Sequence, residues 1–236
     1  MTIDKAGARK GLAGWKTALA AGLIGALVGG GAVAYGSRQS VRDYLLENPE
    51  ILPLAMEKLR EREAAKMVSA NRAALERPFA GAWAGASDGD VVLVEFFDYA
   101  CGYCRKSNAD VDRLLREDPK LKVVWREWPV LGPDSEAAAR ASLAAAHAGR
   151  FKPFYDSLFA AGRPTPEALA RARAGAGLGA DLPAAVADPE LARNFELARG
   201  LEATGTPTFV VGDQILQGAV GYEALRDAIK EARAKS

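Results

Sequence analysis

The chain contains two cysteines, and only two residues separate them in the run Ala100-Cys101-Gly102-Tyr103-Cys104. Thiols at this spacing can form and break a disulfide without rearranging the fold around them. As a permanent cross-link the pair would be weak, because so small a loop removes only about 2 kcal/mol of chain entropy. The spacing therefore favours a redox-active dithiol. It also leaves open a second use, in which the two thiolates bind a soft metal such as copper(I).

The dithiol lies between a predicted strand and a predicted helix. Residues Val91 to Phe97 are apolar, β-branched or aromatic except for Glu95, which is typical of a strand buried on both faces. Residues 105–115 have a composition that favours a helix. Unpaired N–H groups and the dipole at the start of that helix stabilise a thiolate, so we expect Cys101 to be the nucleophile. Cys104, one turn further along, is expected to be the resolving thiol.

A second element supports the redox prediction from far downstream. Thr206-Pro207 directly precedes the apolar run Thr208–Val211. A proline cannot donate a hydrogen bond within a central strand, so Pro207 should mark a turn that enters the strand, with the cis and trans forms of its peptide bond both open. The run continues as a predicted hairpin over residues 209–216, and a closing amphipathic helix is predicted over residues 222–234.

The middle of the chain is too long for a minimal α/β unit. Residues 122–128 predict a second core strand, and residues 134–200 are rich in Ala, Leu and Arg at helical spacing, with Gly and Pro breaks. We therefore predict an α/β fold with a helical subdomain inserted at about residues 134–200. His147, the single histidine, lies in this insertion and is expected to be a surface or packing residue.

The first 37 residues are typical of an export segment. Basic residues up to Lys16 precede an uncharged run over residues 17–37, which is about long enough to cross a bilayer as a helix. Ala32-Val33-Ala34 offers a small-residue cleavage site. We predict a signal peptide or a retained signal anchor over residues 1–37. The rest of the chain is then expected in the bacterial periplasm, with an anchor at the inner membrane as one alternative.

Residues 38–76 predict a helical segment ahead of a domain that spans residues 77–236. Asn48-Pro49 is a helix-start signal, and residues 76–89 are expected to be a linker. The second helix of the segment carries an apolar stripe of Leu52, Ala55, Met56 and Leu59. Such a stripe must be covered, either by the chain's own domain or by another copy, and we expect a homo-oligomer.

Composition excludes several other classes of function. The chain has 31 basic and 30 acidic residues and no concentrated basic stripe, so nothing in its charge points to nucleic acid. Two cysteines and one histidine cannot supply the four ligands of a closed zinc site. We expect no cofactor other than the redox-active Cys101–Cys104 pair, and no resident metal.

These residues carry a family resemblance. Residues 96–104 and Thr206-Pro207 together resemble DsbA-like thioredoxin-fold proteins, and residues 43–50 resemble the N-terminal segment of their ScsC-like, suppressor-of-copper-sensitivity branch. The resemblance covers about residues 41–234. It implies a thioredoxin fold with an inserted helical subdomain, a cis Pro207 opposite Cys101, and Glu95 as a buried acid that moves protons. An edge or solvent-facing glutamate is the alternative for Glu95.

The resemblance also bears on substrate binding. It implies that the Thr206-Pro207 loop contacts bound peptide through backbone hydrogen bonds, and Gly102 and Tyr103 are expected at the same surface. These two residues replace the Pro-His pair of the best-known oxidases of the family, so this sequence departs from a strongly oxidising pattern.

Three functions are consistent with the sequence. The first is an oligomeric disulfide isomerase or reductase that acts on exported proteins and is kept reduced by a membrane thiol-redox partner. The second is a dithiol oxidase that introduces disulfides. The third, from another class, is a copper(I)-binding or chaperone module that uses the thiolates as ligands.

Overall fold

The computed structural model describes residues 41–179 and 183–235. The predicted signal or anchor at residues 1–37 lies outside these ranges. Among the helices of the described ranges, none combines the length and the apolarity needed to cross a membrane. The chain divides into two compact units, with the boundary between Leu59 and Arg60.

The described N-terminal region is helical, as predicted. Residues 41–47 form α1, and α2 spans Ile51–Leu75. Asn48 does not cap α2 with its side chain. Its Nδ2 donates instead to the carbonyl of Tyr44 at 2.9 Å, and α2 begins two residues after Pro49. The predicted apolar stripe is exposed, because Leu52, Met56 and Leu59 have 50%, 56% and 55% of their surface accessible.

The second unit contains a five-stranded mixed sheet in the order β1-β3-β2-β4-β5. Strands β2 and β3 are parallel, and the other three pairings are antiparallel. The bounds are β1 Trp83–Gly85, β2 Val91–Phe97, β3 Leu121–Glu127, β4 Thr208–Val211 and β5 Gln214–Gln217. Strand β1 lies inside the predicted linker at residues 76–89. With three residues, it was too short to show a strand pattern in the sequence.

Helices account for most of the other described residues. Helix α3 (Gly102–Glu117) connects the parallel strands β2 and β3, and α8 (Tyr222–Lys235) closes the fold. The described residues between β3 and β4 form four helices, which confirms the predicted helical insertion. They are α4 Pro133–His147, α5 Phe151–Ala160, α6 Pro166–Gly175 and α7 Ala184–Gly200.

Alternation along the strands divides the core into two faces. One face packs α3, α8 and helices α4 to α6 against Leu93, Phe97, Val123, Trp125 and Phe209. The other face packs the end of α2 and helix α7 against Val94, Phe96, Val124, Trp128 and Val210. Glu95 shares the first face with Leu93 and Phe97, so its carboxyl lies in the same core region as Cys101 and Cys104.

Candidate active site

Cys101 is the N-cap residue of α3. Its backbone is extended, with φ −78° and ψ 116°, and its N–H donates to the carbonyl of Asp98 at 3.0 Å. The Cys101 sulfur accepts a hydrogen bond from the N–H of Cys104 at 3.4 Å. As a thiol it donates to the backbone carbonyl of Thr206 at 3.2 Å. Only 6% of the Cys101 surface is exposed.

This environment favours the thiolate of Cys101. Its pKa falls from 9.0 to about 5, chiefly because the Cys104 thiol donates to it. Burial opposes the shift, while a hydrogen bond with the Thr206 side chain and hydrogen bonds from the N–H groups of Cys104 and Tyr103 add to it. Cys101 is therefore ionised at neutral pH and is the more nucleophilic of the two sulfurs.

Cys104 behaves in the opposite way. It is fully buried, and burial raises the pKa of its thiol far above the ordinary value. Its hydrogen bond to Cys101 raises that pKa further, as does Glu95 when its carboxyl is ionised. Both cysteines are free thiols in the structure. A thiolate beside a buried thiol is the arrangement in which one sulfur attacks and the other waits to resolve.

Glu95 is fully buried in the middle of the sheet, which excludes the solvent-facing alternative. It pairs with Trp125 of β3 on one side and Phe209 of β4 on the other. Trp125 Nε1 donates to Glu95 Oε2 at 2.9 Å, whereas Oε1 has no hydrogen-bond partner among the described residues. Burial raises the pKa of Glu95 to about 8, so the carboxyl carries a proton at neutral pH.

The Thr206–Pro207 peptide bond is cis, as the resemblance implied. Pro207 is buried, and its carbonyl accepts the N–H of Gly218 at 2.8 Å, which joins the loop to the end of β5. The carbonyl of Thr206 contacts Cys101 across 105 residues of sequence. The structure thus brings the two predicted motifs together at one edge of the sheet.

Gly102 and Tyr103 lie at the exposed start of α3. The Tyr103 side chain is 69% exposed, directly beside the buried cysteines. A Cβ added at Gly102 would meet no atom within 4 Å, so the backbone does not require glycine there. His147 is exposed in the last turn of α4, in agreement with a surface role.

Asp98 is a site residue that the sequence analysis missed. Its side chain is buried and accepts hydrogen bonds from the N–H groups of Ala100, Val130 and Leu131 and from the Ser135 hydroxyl, at 2.7 to 3.0 Å. These bonds hold the loop before Cys101 against the loop after β3. An aspartate between a buried strand and the dithiol was the available signal.

Glu127, the last residue of β3, was missed as well. It is buried, and burial raises the pKa of its carboxyl to about 7. Within the described ranges, no group of three or more His, Cys, Asp or Glu side chains is placed to hold a metal ion.

Comparison with known families agrees with this geometry. Residues 92–230 match the DSBA-like thioredoxin domain, which is more than half of the chain. The chain belongs to the DsbA-like thioredoxin family. Residues 38–66 match the copper resistance protein ScsC N-terminal domain, so the helices ahead of the thioredoxin domain are those of the ScsC branch.

Solved structures show the same relationship. A linker-deletion mutant of Proteus mirabilis ScsC is 30% identical, with a TM-score of 0.71, and the match covers 84% of this chain and 94% of that one. A thioredoxin-like oxidoreductase from Silicibacter pomeroyi is 37% identical, with a TM-score of 0.63, over 69% and 96% of the chains. A periplasmic thioredoxin-like protein from Salmonella enterica is 28% identical, with a TM-score of 0.65, over 69% and 95% of the chains. The chain therefore has the fold of ScsC-type thiol–disulfide oxidoreductases.

Part of the chain is also similar to segments of larger proteins. The Na(+)/H(+) antiporter NhaA 3 of Salinispora tropica is 31% identical over 160 residues, which is 64% of this chain and 24% of the antiporter. The chain spans about a quarter of the length of this protein and of a second NhaA antiporter, from Herminiimonas arsenicoxydans.

Proposed function

We propose that this protein is a thiol–disulfide oxidoreductase that acts on disulfides of exported proteins, mainly as an isomerase or reductase. The observation that carries the proposal is the division of roles between the two sulfurs. Cys101 has a pKa lowered to about 5 beside the cis Thr206–Pro207 loop, while Cys104 is buried with a raised pKa. A low pKa at the attacking sulfur also makes it a good leaving group, which allows rapid exchange in both directions.

The reaction begins when the Cys101 thiolate attacks one sulfur of a substrate disulfide. A mixed disulfide forms, and the other substrate sulfur leaves as a thiolate. In isomerisation, that thiolate attacks a second disulfide of the substrate, and the thiolate expelled there attacks the substrate sulfur of the mixed disulfide, so that Cys101 leaves as a thiolate. In reduction, Cys104 attacks Cys101, the substrate leaves with two electrons, and the Cys101–Cys104 disulfide remains for a thiol-redox partner to reduce.

Glu95 is proposed to move the proton of Cys104 in the resolving step. Cys104 attacks only after it loses its proton, and its high pKa makes that loss unfavourable. The carboxyl of Glu95 is buried in the same core region, interacts electrostatically with the Cys104 thiol, and has an oxygen, Oε1, without a hydrogen-bond partner among the described residues. With a pKa of about 8, this group can accept and return a proton near neutral pH.

Two features favour isomerase or reductase activity over oxidase activity. Gly102 and Tyr103 place no cationic side chain between the cysteines, so the thiolate lacks the additional stabilisation that a positive charge would supply. The N-terminal helices expose an apolar face that would join several active sites if copies of the chain associated. Substrate peptide is proposed to lie along the backbone of Thr206 and Pro207, beside Gly102 and Tyr103.

We propose that the covering for this apolar face is a second copy of the chain. In residues 41–59, large apolar side chains are at least half exposed along both described helices, among them Val41, Tyr44, Leu52, Met56 and Leu59. Such a surface is costly in water and is stabilised by self-association. The periplasm is the proposed location, with residues 1–37 as signal or anchor, and a membrane thiol-redox partner is proposed to keep the dithiol reduced.

The first test is the reactivation of scrambled, fully oxidised ribonuclease by the reduced protein. Recovered activity that depends on Cys101, and that persists in part in Cys104→Ser, would support isomerisation. Failure to reactivate it, combined with oxidation of reduced ribonuclease by the disulfide form, would make the protein a dithiol oxidase.

The oligomer is tested by sedimentation of a variant with Leu52→Gln, Met56→Gln and Leu59→Gln. We expect the triple variant to dissociate. Leu54→Gln is the matched control, because Leu54 is 69% exposed but lies off the stripe. A wild-type protein that already sediments as a monomer would contradict self-association.

Copper(I) binding is a second candidate function. It is favoured by the two free thiols and by the match of residues 38–66 to a domain described as part of a copper resistance protein. Tight, stoichiometric binding of copper(I) to the reduced protein, lost in both Cys101→Ser and Cys104→Ser, would support it. Binding that survives either substitution would place the metal elsewhere.

A further inference from the structure

Helix α4 of the insertion carries two buried serines on one face. Ser135 and Ser142 are seven residues apart, which is two helical turns, so their side chains lie above one another. Their exposures are 1% and 0%, and the buried residues between them are Ala138, Ala139 and Ala141. Hydroxyls in an alanine-lined interface need hydrogen-bond partners.

Both serines find their partners in the loop that leads to the nucleophile. Ser135 Oγ donates to Asp98 Oδ1 at 2.7 Å, and the Tyr99 hydroxyl lies 2.8 Å from Ser142 Oγ. Asp98 and Tyr99 are consecutive, and the carbonyl of Asp98 accepts the N–H of Cys101. Hydrogen bonds therefore join α4 to two adjacent residues of the loop that precedes Cys101, Asp98 and Tyr99, both within three positions of the reactive cysteine.

The second attachment continues to a buried carboxyl. Ser142 Oγ donates to Glu127 Oε1 at 2.8 Å. A hydroxyl has one proton to donate, so Tyr99 must be the donor in its hydrogen bond to Ser142. These two hydrogen bonds run in series from Tyr99 through Ser142 to Glu127, and the acidic acceptor at the end strengthens both of them.

The position of Glu127 in the sheet explains why this series of hydrogen bonds reaches the loop that precedes Cys101. Glu127 is paired with Phe97, and both are the last residues of parallel strands. Parallel strands end at the same edge of a sheet, and α3 with Cys101 begins at that edge. Glu127 is 1% exposed, and its Oε2 has no hydrogen-bond partner in the described part of the chain. Keeping such a carboxyl buried is costly, which argues for a role beyond packing.

We propose that Glu127 and Ser142 are positioning residues for the nucleophile, and that they act on Cys101 through the hydroxyl of Tyr99. The inference rests on the proposed function, in which Cys101 attacks as a thiolate. The hydrogen bond from the Cys104 N–H to the Cys101 sulfur has an N···S distance of 3.4 Å, and it depends on where the loop before Cys101 holds that sulfur. A small displacement of the loop therefore weakens the stabilisation of the thiolate.

The test measures the pKa of Cys101 in the full, reduced chain from the pH dependence of its alkylation by iodoacetamide. Ser142→Ala and Tyr99→Phe each remove one link, and each should raise the Cys101 pKa by about half a unit or more. This corresponds to about threefold less thiolate at a pH below the pKa. The double variant should shift the Cys101 pKa no more than either single variant does, because each substitution already breaks the same series of hydrogen bonds.

Ser107→Ala is the matched control. Ser107 is also a buried serine, it lies on α3 with the cysteines, and its hydroxyl has no hydrogen-bond partner among the described residues. Removing it breaks no hydrogen bond, so the Cys101 pKa should not change. An equal shift in Ser107→Ala would overturn the proposal, since loss of packing alone would then explain the effect.

Glu127 is tested by two substitutions of similar size. Glu127→Met removes the acceptor and should reproduce the Ser142→Ala shift, whereas Glu127→Gln keeps an oxygen acceptor and should retain the wild-type pKa. Unchanged pKa values in Ser142→Ala and Tyr99→Phe, additive shifts in their double variant, or a raised pKa in Glu127→Gln would each overturn the proposal. An ordinary Cys101 pKa in the unsubstituted protein would instead contradict the proposed function.

Discussion

The strongest single interaction at the nucleophile is the hydrogen bond from the Cys104 thiol, and replacing Cys104 tests it directly. The Cys101 pKa is lowered from 9.0 to about 5, a difference worth about 5 kcal/mol in favour of the thiolate. A hydrogen bond to a charged acceptor contributes about 1.5 to 3 kcal/mol. Cys104→Ala should therefore raise the Cys101 pKa by about 1 to 2 units.

Cys104→Ser is the matched variant for this experiment. Serine keeps a hydroxyl donor at the same position, and both substitutions keep the backbone N–H that also donates to Cys101. The Cys104→Ser protein should retain a low Cys101 pKa. Titration of the thiolate by its ultraviolet absorbance measures all three proteins. If Cys104→Ala titrates like the unsubstituted protein, or if Ser and Ala variants rise equally, the side-chain donor does not set the Cys101 pKa.

Three further predictions concern proton transfer, pH and stability. Glu95→Gln removes the group with a pKa of about 8, so it should flatten the pH dependence of the resolving step between about pH 7 and 9. The rate of this step is measured as the single-turnover release of substrate. An unchanged pH profile would exclude Glu95 from proton transfer. Cys101 has a lowered pKa in the folded, reduced protein, so its stabilising contribution is full above pH 9 and is lost as the pH falls to about 5. The oxidised protein lacks this thiolate. As the pH rises from about 5 to 9, the free energy of unfolding of the reduced form should therefore increase relative to that of the oxidised form, by up to about 1.4 kcal/mol per pH unit. Parallel pH profiles of the two forms in urea titrations would refute this. Arg126 is buried and donates to three backbone carbonyls at the end of α2, so Arg126→Met should lower the free energy of unfolding by about 3 kcal/mol in urea. The control Arg140→Met removes a half-exposed ion pair and should cost less than about 1 kcal/mol; equal losses would show that the buried contacts of Arg126 add nothing.

Local pattern was sufficient for the elements that carry the dithiol. Strand β2 was predicted at its observed bounds, because a short run of apolar, β-branched and aromatic residues is typical of a strand buried on both faces. The start of α3 at the dithiol followed from the helical composition of residues 105–115, directly after the second cysteine. The insertion was predicted by length, since the chain between Cys104 and Pro207 is much longer than one strand and one crossover helix require.

Other elements had too weak a local signal. Strand β1 has three residues, and its pairing to β3 rather than its own composition makes it a strand. Asn48 has the residue type of a helix cap, but its side chain bonds backward to Tyr44. In both cases a tertiary or neighbouring contact outweighed a local preference of less than about 1 to 2 kcal/mol.

The sequence by itself determined the type of chemistry. Two thiols at short spacing at the start of a helix, with Thr-Pro before a distant strand, limit the chain to dithiol exchange or soft-metal binding, and an acid inside an apolar strand marks Glu95 for a role. These conclusions depend on residue type and local spacing, which the sequence states directly.

Only the tertiary structure decided how that chemistry is tuned. The Thr206 carbonyl reaches Cys101 from 105 residues away, and Tyr99 meets Ser142 across 43 residues. The raised pKa values of Glu95 and Cys104 come from burial by strands and helices distant in sequence. Burial and side-chain hydrogen bonding are properties of the packed chain, because they depend on which segments exclude water from one another, and no local pattern encodes that choice.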